Sequence, residues 1–157
     1  MLERLGAAHE GSVLEFERHY RQYFARTISD RGDEFFERFR DDFHRLLAEQ
    51  ESGECVYYVL VDEDGSIGGR FNLYGVRDGA ADVGYRVAEA VAGRGVASAA
   101  LTELCRVALA LGLTRLSAKV SNENIASQRV LEKADFHAVG VTDVAGKPGR
   151  SYERLLA

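Results

Sequence analysis

The sequence contains little cysteine, and its histidines show no regular spacing. The two cysteines, Cys55 and Cys105, lie too far apart to form a zinc ligand pair or a CxxC redox motif. We therefore expect both to be reduced, buried thiols, as is usual in a cytoplasmic protein. The four histidines are not paired in the sequence either, so we expect no metal cofactor.

Long apolar runs are also absent. The most apolar region, residues 87–113, is interrupted by charged residues such as Arg94 and Glu103, which makes it unsuited to span a membrane. Residues 1–4 lack the apolar run of a secretory signal. We expect a cytoplasmic protein that does not associate with membranes.

The chain has fewer basic than acidic residues, 20 Lys and Arg against 25 Asp and Glu, which gives a formal net charge of −5. A chain of this sign is a poor candidate for general nucleic-acid binding, but it is compatible with a local basic pocket for a phosphorylated cofactor. Proline occurs once, and no Pro/Ser-rich linker divides the 157 residues. The sequence thus predicts one domain over residues 1–157, large enough to bury a core without disulfides.

The spacing of apolar residues predicts alternating helices and strands. In chain order they are helices over 13–24 and 36–47, strands over 56–61, 67–76 and 81–87, a helix over 95–111, a strand over 116–120, a helix over 124–133, and strands over 137–144 and 151–155. The first three long strands are joined by short turns, so they should form an antiparallel meander. The fold class that follows is α/β (α+β) with a mixed sheet.

A glycine turn, Gly93-Arg94-Gly95, connects the third of these strands to the next helix. The first N–H groups of a helix lack partners and, with the helix dipole, attract phosphate oxygens. Small residues such as Ala97 and Ser98 leave room for a close approach, and Arg94 adds a cation. The alternative is an ordinary strand-to-helix turn whose small residues serve packing.

Two other nucleotide motifs can be tested at this turn. No GxxxxGK[ST] segment occurs, which excludes a P-loop. Gly93-x-Gly95-x-x-Ser98 resembles the dinucleotide fingerprint, but serine replaces the third glycine and residues 113–120 contain no acid. An NAD or ATP site is therefore the weakest of the alternatives.

The second informative segment is Asn122–Phe136, in which Asn124 is expected to cap a short helix. With the glycine turn it resembles the GNAT (Gcn5-related N-acetyltransferase) superfamily, because the glycine turn, helix, strand and N-x-x-S-x-x-V-L-E-K-x-x-F occur here in the family's order and spacing. The variant with Ser127 and Leu131 is similar to the branch of ribosomal-protein N-terminal acetyltransferases of the RimJ/RimL type. The match is strongest over residues 81–136.

The resemblance implies a fold and an activity. The fold would be a GNAT-like mixed, mostly antiparallel central sheet with a splayed parallel strand pair, 81–87 and 116–120, flanked by about four helices. The activity would be transfer of an acetyl group from acetyl-CoA, as co-substrate, to a primary amine by direct attack. The amine would belong to a protein N-terminus or a small molecule, and family members are often homodimers.

The resemblance also implies a cofactor site. The CoA pyrophosphate would lie on the N–H groups of Gly93–Ser98, and the pantetheine arm would add like a strand along 86–88, where an N–H near Val87 would polarise the thioester carbonyl. The expected cofactor residues are Arg86, Val87, Ala92, Gly93, Arg94, Gly95, Val96, Ala97, Ser98, Asn124 and Ser127.

Two residues are candidates for proton transfer. An attacking amine must be neutral, whereas a lysine has a pKa near ~10.4 and an α-amine near ~8, so a base is expected. Asp82 occupies the position where some relatives carry a glutamate base; alternatively, it is a solvated strand acid. Ser127 matches a serine proposed in some RimL-like relatives to protonate the leaving thiolate; alternatively, it is only a first-turn residue of its helix.

The acceptor side rests on the first helix, which lines the acceptor cleft in this family. Tyr20, Arg21 and Phe24 are the expected substrate-binding residues, with Arg21 orienting a carboxylate-bearing acceptor. Alternatively, the aromatic residues belong to the core and Arg21 is a surface residue. Glu10, Glu15 and Glu17 would instead attract a cationic acceptor, so the acceptor's charge stays open.

Three positions depart from the superfamily pattern: Ala92 replaces a Gln or Arg, Asp135 replaces a Gly, and Leu131 stands where many members carry a general-acid Tyr. Aspartate tolerates the left-handed backbone better than most residues, so the turn at Asp135 should hold. The departures motivate an alternative function, a non-catalytic acyl-CoA-binding or regulatory module on the same fold.

Overall fold

The computed structural model describes residues 1–156, which form one mixed sheet covered by helices on both faces. The strands are β1 (Leu2–Arg4), β2 (Val56–Val61), β3 (Ile67–Arg77), β4 (Ala80–Val87), β5 (Arg115–Ser121), β6 (His137–Val144) and β7 (Lys147–Leu155). The helices are α1 (Glu10–His19), α2 (Arg21–Phe24), α3 (Asp33–Glu37), α4 (Phe39–Ser52), α5 (Val96–Ala110) and α6 (Ile125–Lys133). The strand order is β1-β2-β3-β4-β5-β7-β6.

The predicted architecture is confirmed, with two differences in detail. Strands β2, β3 and β4 form the expected antiparallel meander. The chain between α1 and α4 forms two further short helices, α2 and α3. Residues 1–156 therefore contain six α-helices, of which four are long. Among them, none is long and apolar enough to cross a membrane.

The last strand begins four residues earlier than its sequence indicates. Pro148 and Gly149 are typical strand breakers, yet both lie in β7, which pairs with β6 and β5. Glycine is required at 149 because a Cβ there would lie 2.5 Å from the carbonyl oxygen of Val120. The glycine therefore marks a close approach of two strands.

Strands β4 and β5 form the one parallel pair of the sheet, and they separate after three residue pairs. Ala80, Ala81 and Asp82 pair with 115–117, whereas the rest of β4 has no strand on that side. This confirms the predicted splayed pair. The predicted turn after α6 is also present, since Asp135 has a φ of 65° and adopts the left-handed conformation expected of it.

A buried ion cluster joins α1 to the sheet. The carboxylate of Glu17 is 1% exposed and accepts hydrogen bonds from Arg70 on β3 (2.9 Å), Arg86 on β4 (3.0 Å) and Arg31 in the α2–α3 loop (3.2 Å). Burial opposes ionisation of Glu17, but the three guanidinium groups outweigh it and hold its pKa below the ordinary value. One carboxylate thus fixes a helix, two strands and a loop in register.

We expect Glu17→Gln to reduce the free energy of unfolding by about 3 kcal/mol, because it leaves buried arginines without a counter-charge. Since the pKa of Glu17 is lowered on folding from its ordinary value of 4.5, its contribution is present above that pH and is lost as the pH falls through the folded-state value. Urea unfolding at several pH values should therefore show a flatter acid dependence for the variant.

The matched control is Glu34→Gln, which removes an exposed i,i+4 pair with Arg38 and should cost under ~0.5 kcal/mol. Equal, small losses in the two variants would contradict the assigned role of Glu17.

Candidate functional site

A cleft opens where β4 and β5 separate, and two cavities meet in it. The first, of about 430 Å³, extends between the glycine turn, the end of β4, α6 and the segment after α2. The second, of about 610 Å³, extends between β4, β5, residues 25–30 and the β6–β7 turn. Six residues line both cavities: Arg26, Thr27 and Ile28 from the segment after α2, and Tyr85, Asn124 and Ser127 from the sheet and α6. Two ligands that entered from opposite sides would meet beside these residues.

The glycine turn borders the first cavity. Gly93 and Gly95 both have a φ of 76°, and a Cβ on either would meet open space. Glycine is therefore needed here for the left-handed backbone and not for room. No side chain caps the N-terminus of α5, so its first N–H groups are available to an anion.

Basic residues gather along this cavity. Arg26, Arg86, Arg129 and Lys133 line it, and its lining includes no aspartate or glutamate among the described residues. Arg26 lies 3.6 Å from Glu89, and Arg86 is paired with Glu17. In a chain of net charge −5, this local excess of positive charge suits a polyanionic ligand. Sequence reasoning missed Arg129 and Lys133, which sit four residues apart on α6.

The expected cofactor residues divide into two groups. Ala92, Gly93, Gly95, Ala97, Ser98, Arg86, Val87, Asn124 and Ser127 all line the first cavity. Arg94 and Val96 are not part of the lining, and Val96 packs against the core beneath α5. Past Asp82 the edge of β4 toward β5 is unpaired, which leaves backbone groups for an extended ligand arm.

Ser127 is held from two directions. Its N–H donates to Oδ1 of Asn124 (3.2 Å), which makes Asn124 the N-cap of α6 as predicted. Its hydroxyl lies 2.6 Å from the hydroxyl of Tyr85, which is also 3.1 Å from the Ser127 carbonyl oxygen. Burial raises the pKa of Tyr85 to about 12, so its phenol stays protonated near neutral pH. Tyr85 was not among the expected site residues.

Asp82 lies at the closed end of the cleft. It is the last β4 residue to pair with β5, opposite Ser117, and its side chain is exposed. It lines neither cavity. The three residues from Asp82 to Tyr85 span about 10 Å of strand, so Asp82 can exchange a proton with a ligand beside Tyr85 only through water.

The three expected substrate-binding residues lie in different surroundings. Phe24 is buried, lines the first cavity and has the Arg86 guanidinium 4.7 Å from its ring centroid. Tyr20 borders a separate cavity of about 500 Å³ between α1 and the β2–β3 turn.

Arg21 is already engaged by two carboxylates. It lies 2.8 Å from Asp30 and 2.9 Å from Asp33, and its guanidinium stacks on Phe36. The hydrogen bonds from Arg21, followed by that from the Gly32 N–H, lower the pKa of Asp30 to about 2. Arg21 therefore fixes the loop that covers the second cavity.

No group of three or more His, Cys, Asp or Glu side chains in residues 1–156 is arranged to hold a metal ion. The chemistry available in the cleft is that of hydroxyl groups, backbone N–H groups, arginine and lysine side chains and the loop carboxylate of Asp30. This set can bind anions and stabilise developing negative charge.

Comparison with known proteins places this cleft in context. A family model described as an acetyltransferase (GNAT) domain matches residues 4–137. No curated protein sequence matches the chain. Among solved structures, the ribosomal-protein-S5-alanine acetyltransferase from Vibrio fischeri is 18% identical with a TM-score of 0.90, over 99% of this chain and 92% of that one.

Two further structures are similar and were solved with CoA or its disulfide. Mycobacterium smegmatis RimJ in complex with CoA-disulfide is 22% identical with a TM-score of 0.85, over 98% of this chain and 80% of that one. The Vibrio cholerae spermidine N-acetyltransferase in complex with CoA and spermine is 14% identical with a TM-score of 0.82, over 99% and 95% of the two chains. At these identities the likeness concerns the fold.

Proposed function

The chain belongs to the GNAT acetyltransferase family and transfers an acetyl group from acetyl-CoA to an amine. We propose that this amine is a protein N-terminus or a small primary amine, and that it enters through the second cavity. The observation that carries the proposal is the meeting of two cavities at Tyr85 and Ser127. Relatives of this fold include enzymes named for ribosomal-protein alanine and for spermidine, so the fold alone leaves the acceptor open.

In this proposal acetyl-CoA occupies the first cavity. Its pyrophosphate lies on the N–H groups of Gly93–Ser98, with Arg129 and Lys133 close enough in the cavity wall to balance phosphate charge. The pantetheine arm follows the unpaired edge of β4 at Arg86 and Val87. Ala92 fits this arrangement because backbone groups, not its side chain, face the phosphates.

The amine attacks the thioester carbonyl directly. The C–N bond forms, the carbonyl oxygen gains negative charge beside the N–H near Val87, and the C–S bond then breaks with its electron pair moving to sulfur. The amine nitrogen loses a proton through water to Asp82, Ser127 donates a hydrogen bond to the sulfur, and the proton then passes from Asp82 through water to the sulfur. The net result is an amide, CoA thiol and a regenerated site.

We also propose roles for the acceptor-side residues. Phe24 and Tyr20 hold α1 and α2 against the sheet, and Arg21 keeps the covering loop in place through Asp30 and Asp33. A reducing, cytoplasmic location is consistent with Cys55 and Cys105, which form no disulfide.

The direct test combines binding with turnover. The purified chain is heated with acetyl-CoA, CoA, ATP or NAD, and thiol release is then followed with a panel of peptides and small amines. We expect stabilisation by the two CoA species alone, about 2.7 kcal/mol at ~100-fold over Kd, and thiol release with at least one amine. Binding without turnover would favour the non-catalytic acyl-CoA-binding module, and stabilisation by NAD or ATP alone would overturn the cofactor assignment.

The glycine turn offers a matched pair of variants. Gly95→Ala and Gly112→Ala each place alanine at a positive φ, 76° and 90°, at opposite ends of α5 with open space around the Cβ. Each should cost about 1–2 kcal/mol of stability. Only Gly95→Ala should also weaken CoA binding, by about tenfold or more in calorimetry, because it disturbs the phosphate-binding N–H groups. Equal CoA affinity in both variants would argue against this phosphate site.

The role of Asp82 is tested by Asp82→Asn. If Asp82 is a general base acting through water, the variant should lose about 10²-fold in kcat/KM, while KM for acetyl-CoA is unchanged. The control is Glu153→Gln, which removes the acid that faces Ser117 from β7. Unchanged kinetics in Asp82→Asn would make Asp82 a solvated strand acid, and a loss confined to Glu153→Gln would move the base to Glu153.

A further inference from the structure

The hydroxyl groups of Tyr85 and Ser127 form the shortest polar contact between the two sides of the cleft, at 2.6 Å. Tyr85 comes from β4, which carries one wall, and Ser127 comes from the first turn of α6, which forms the opposite wall. Both residues line both cavities. This contact therefore lies where an acetyl donor and an amine acceptor would meet.

The hydrogen-bonding groups around this contact restrict how its protons are arranged. The Tyr85 hydroxyl also lies 3.1 Å from the Ser127 carbonyl oxygen, which can only accept. If Tyr85 donates to that carbonyl, Ser127 must donate to Tyr85 and its own proton is used. If Tyr85 donates to the Ser127 hydroxyl, the serine proton is free to point at a third group. Negative charge arriving beside Ser127 favours the second arrangement, because each donated bond strengthens the next.

We propose that Tyr85 is a positioning residue that turns the Ser127 hydroxyl proton toward the sulfur of the leaving CoA thiolate. The proposal rests on the acetyl transfer described above. It adds Tyr85 as a second residue, which acts through Ser127. Tyr85 need not lose its proton. The C–S electron pair goes to sulfur, Ser127 donates a hydrogen bond to it, and the proton released from the amine nitrogen finally reaches the sulfur through solvent.

The surroundings of both residues fix this geometry in advance. The Tyr85 ring stacks on Phe71, with 5.7 Å between the ring centroids and 12° between the planes, and Phe71 is fully buried. The Ser127 N–H is tied to Asn124. One turn further along α6 the residue is Leu131, which is fully buried in the core. Because it is a leucine, the helix supplies no phenol at that position. The phenol near the reacting atoms is supplied by the strand.

The test uses Tyr85→Phe, Ser127→Ala and the double variant. Tyr85→Phe keeps the stacked ring and removes only the hydroxyl. We expect kcat to fall about tenfold, the loss expected for one hydrogen bond to a charged group, with KM for acetyl-CoA unchanged. In the Ser127→Ala background the same substitution should have no further effect, since Tyr85 acts through Ser127.

The matched control is Tyr57→Phe, which removes a phenol hydroxyl that donates to Glu49 on α4 (2.6 Å) and lines neither cavity of the cleft. It should leave kcat unchanged. A Tyr85 role in stability alone would lower activity by the same factor with or without the Ser127 hydroxyl, and would appear as a lower melting temperature.

A second readout does not depend on an acceptor. Ultraviolet titration of CoA bound to each variant reports the pKa of its thiol, which Ser127 should lower in the unmodified protein. Tyr85→Phe should raise that pKa by about one unit, a tenfold change in the thiolate equilibrium, and Tyr57→Phe should not. If the protein binds CoA but acetylates no amine, this titration still supports or overturns the role of Tyr85. An identical thiol pKa in the protein and in Tyr85→Phe, or failure of CoA to bind at all, would overturn it.

Discussion

The separation of β4 from β5 after Asp82 is the constraint on which the site depends. A parallel pair that continued to Val87 would satisfy its own backbone groups and leave no slot for an extended ligand. Because pairing stops after three residues, the edge of β4 is open, and Tyr85 can reach across the gap to Ser127. The same gap gives the N-terminus of α5 access to a ligand that lies against the strand.

An open cleft in the middle of a sheet must be held by its flanks. On one side α5 and α6 are fixed by a continuous core that includes Leu101, Leu104 and Leu131, all fully buried. On the other side apolar packing is supplemented by Glu17, whose carboxylate reaches Arg70 and Arg86 on two adjacent strands. Burial lowers the pKa of Arg86 to about 10, and the neighbouring arginines add to this effect. The glutamate thus keeps a cation charged next to the first cavity without bringing net acidity into it.

Local sequence patterns predicted most of the elements, because they depend on neighbours in the chain. The run 56–61 is β-branched and aromatic, and it forms β2 with the same bounds. Gly53 and Gly112 end helices in the left-handed conformation as expected. The start of β7 was missed because Gly149 reads locally as a breaker, whereas its role comes from the Val120 carbonyl on a distant strand.

Site residues divide along the same line. Asn124 and the glycine turn were identified because capping and left-handed turns are local requirements. The pairing of Arg21 with Asp30 and Asp33 depends on how the loop folds back, so the sequence could not distinguish an engaged arginine from a free one. Arg129 and Lys133 look like the exposed face of any amphipathic helix, and only the position of α6 opposite the glycine turn makes them part of a cavity.

Tyr85 shows that a recognisable sequence segment need not contain every residue of the site it forms. The segment Asn122–Phe136 identifies the helix and its serine, and it contains no tyrosine. The partner of that serine lies 42 residues earlier, on a strand whose alternation only says that Tyr85 points to the same face as Val83 and Val87. The short contact arises because β4 diverges from β5 and the ring rests on Phe71. The serine and its hydroxyl partner therefore become neighbours only through the tertiary fold, which the pattern of the helix segment does not encode.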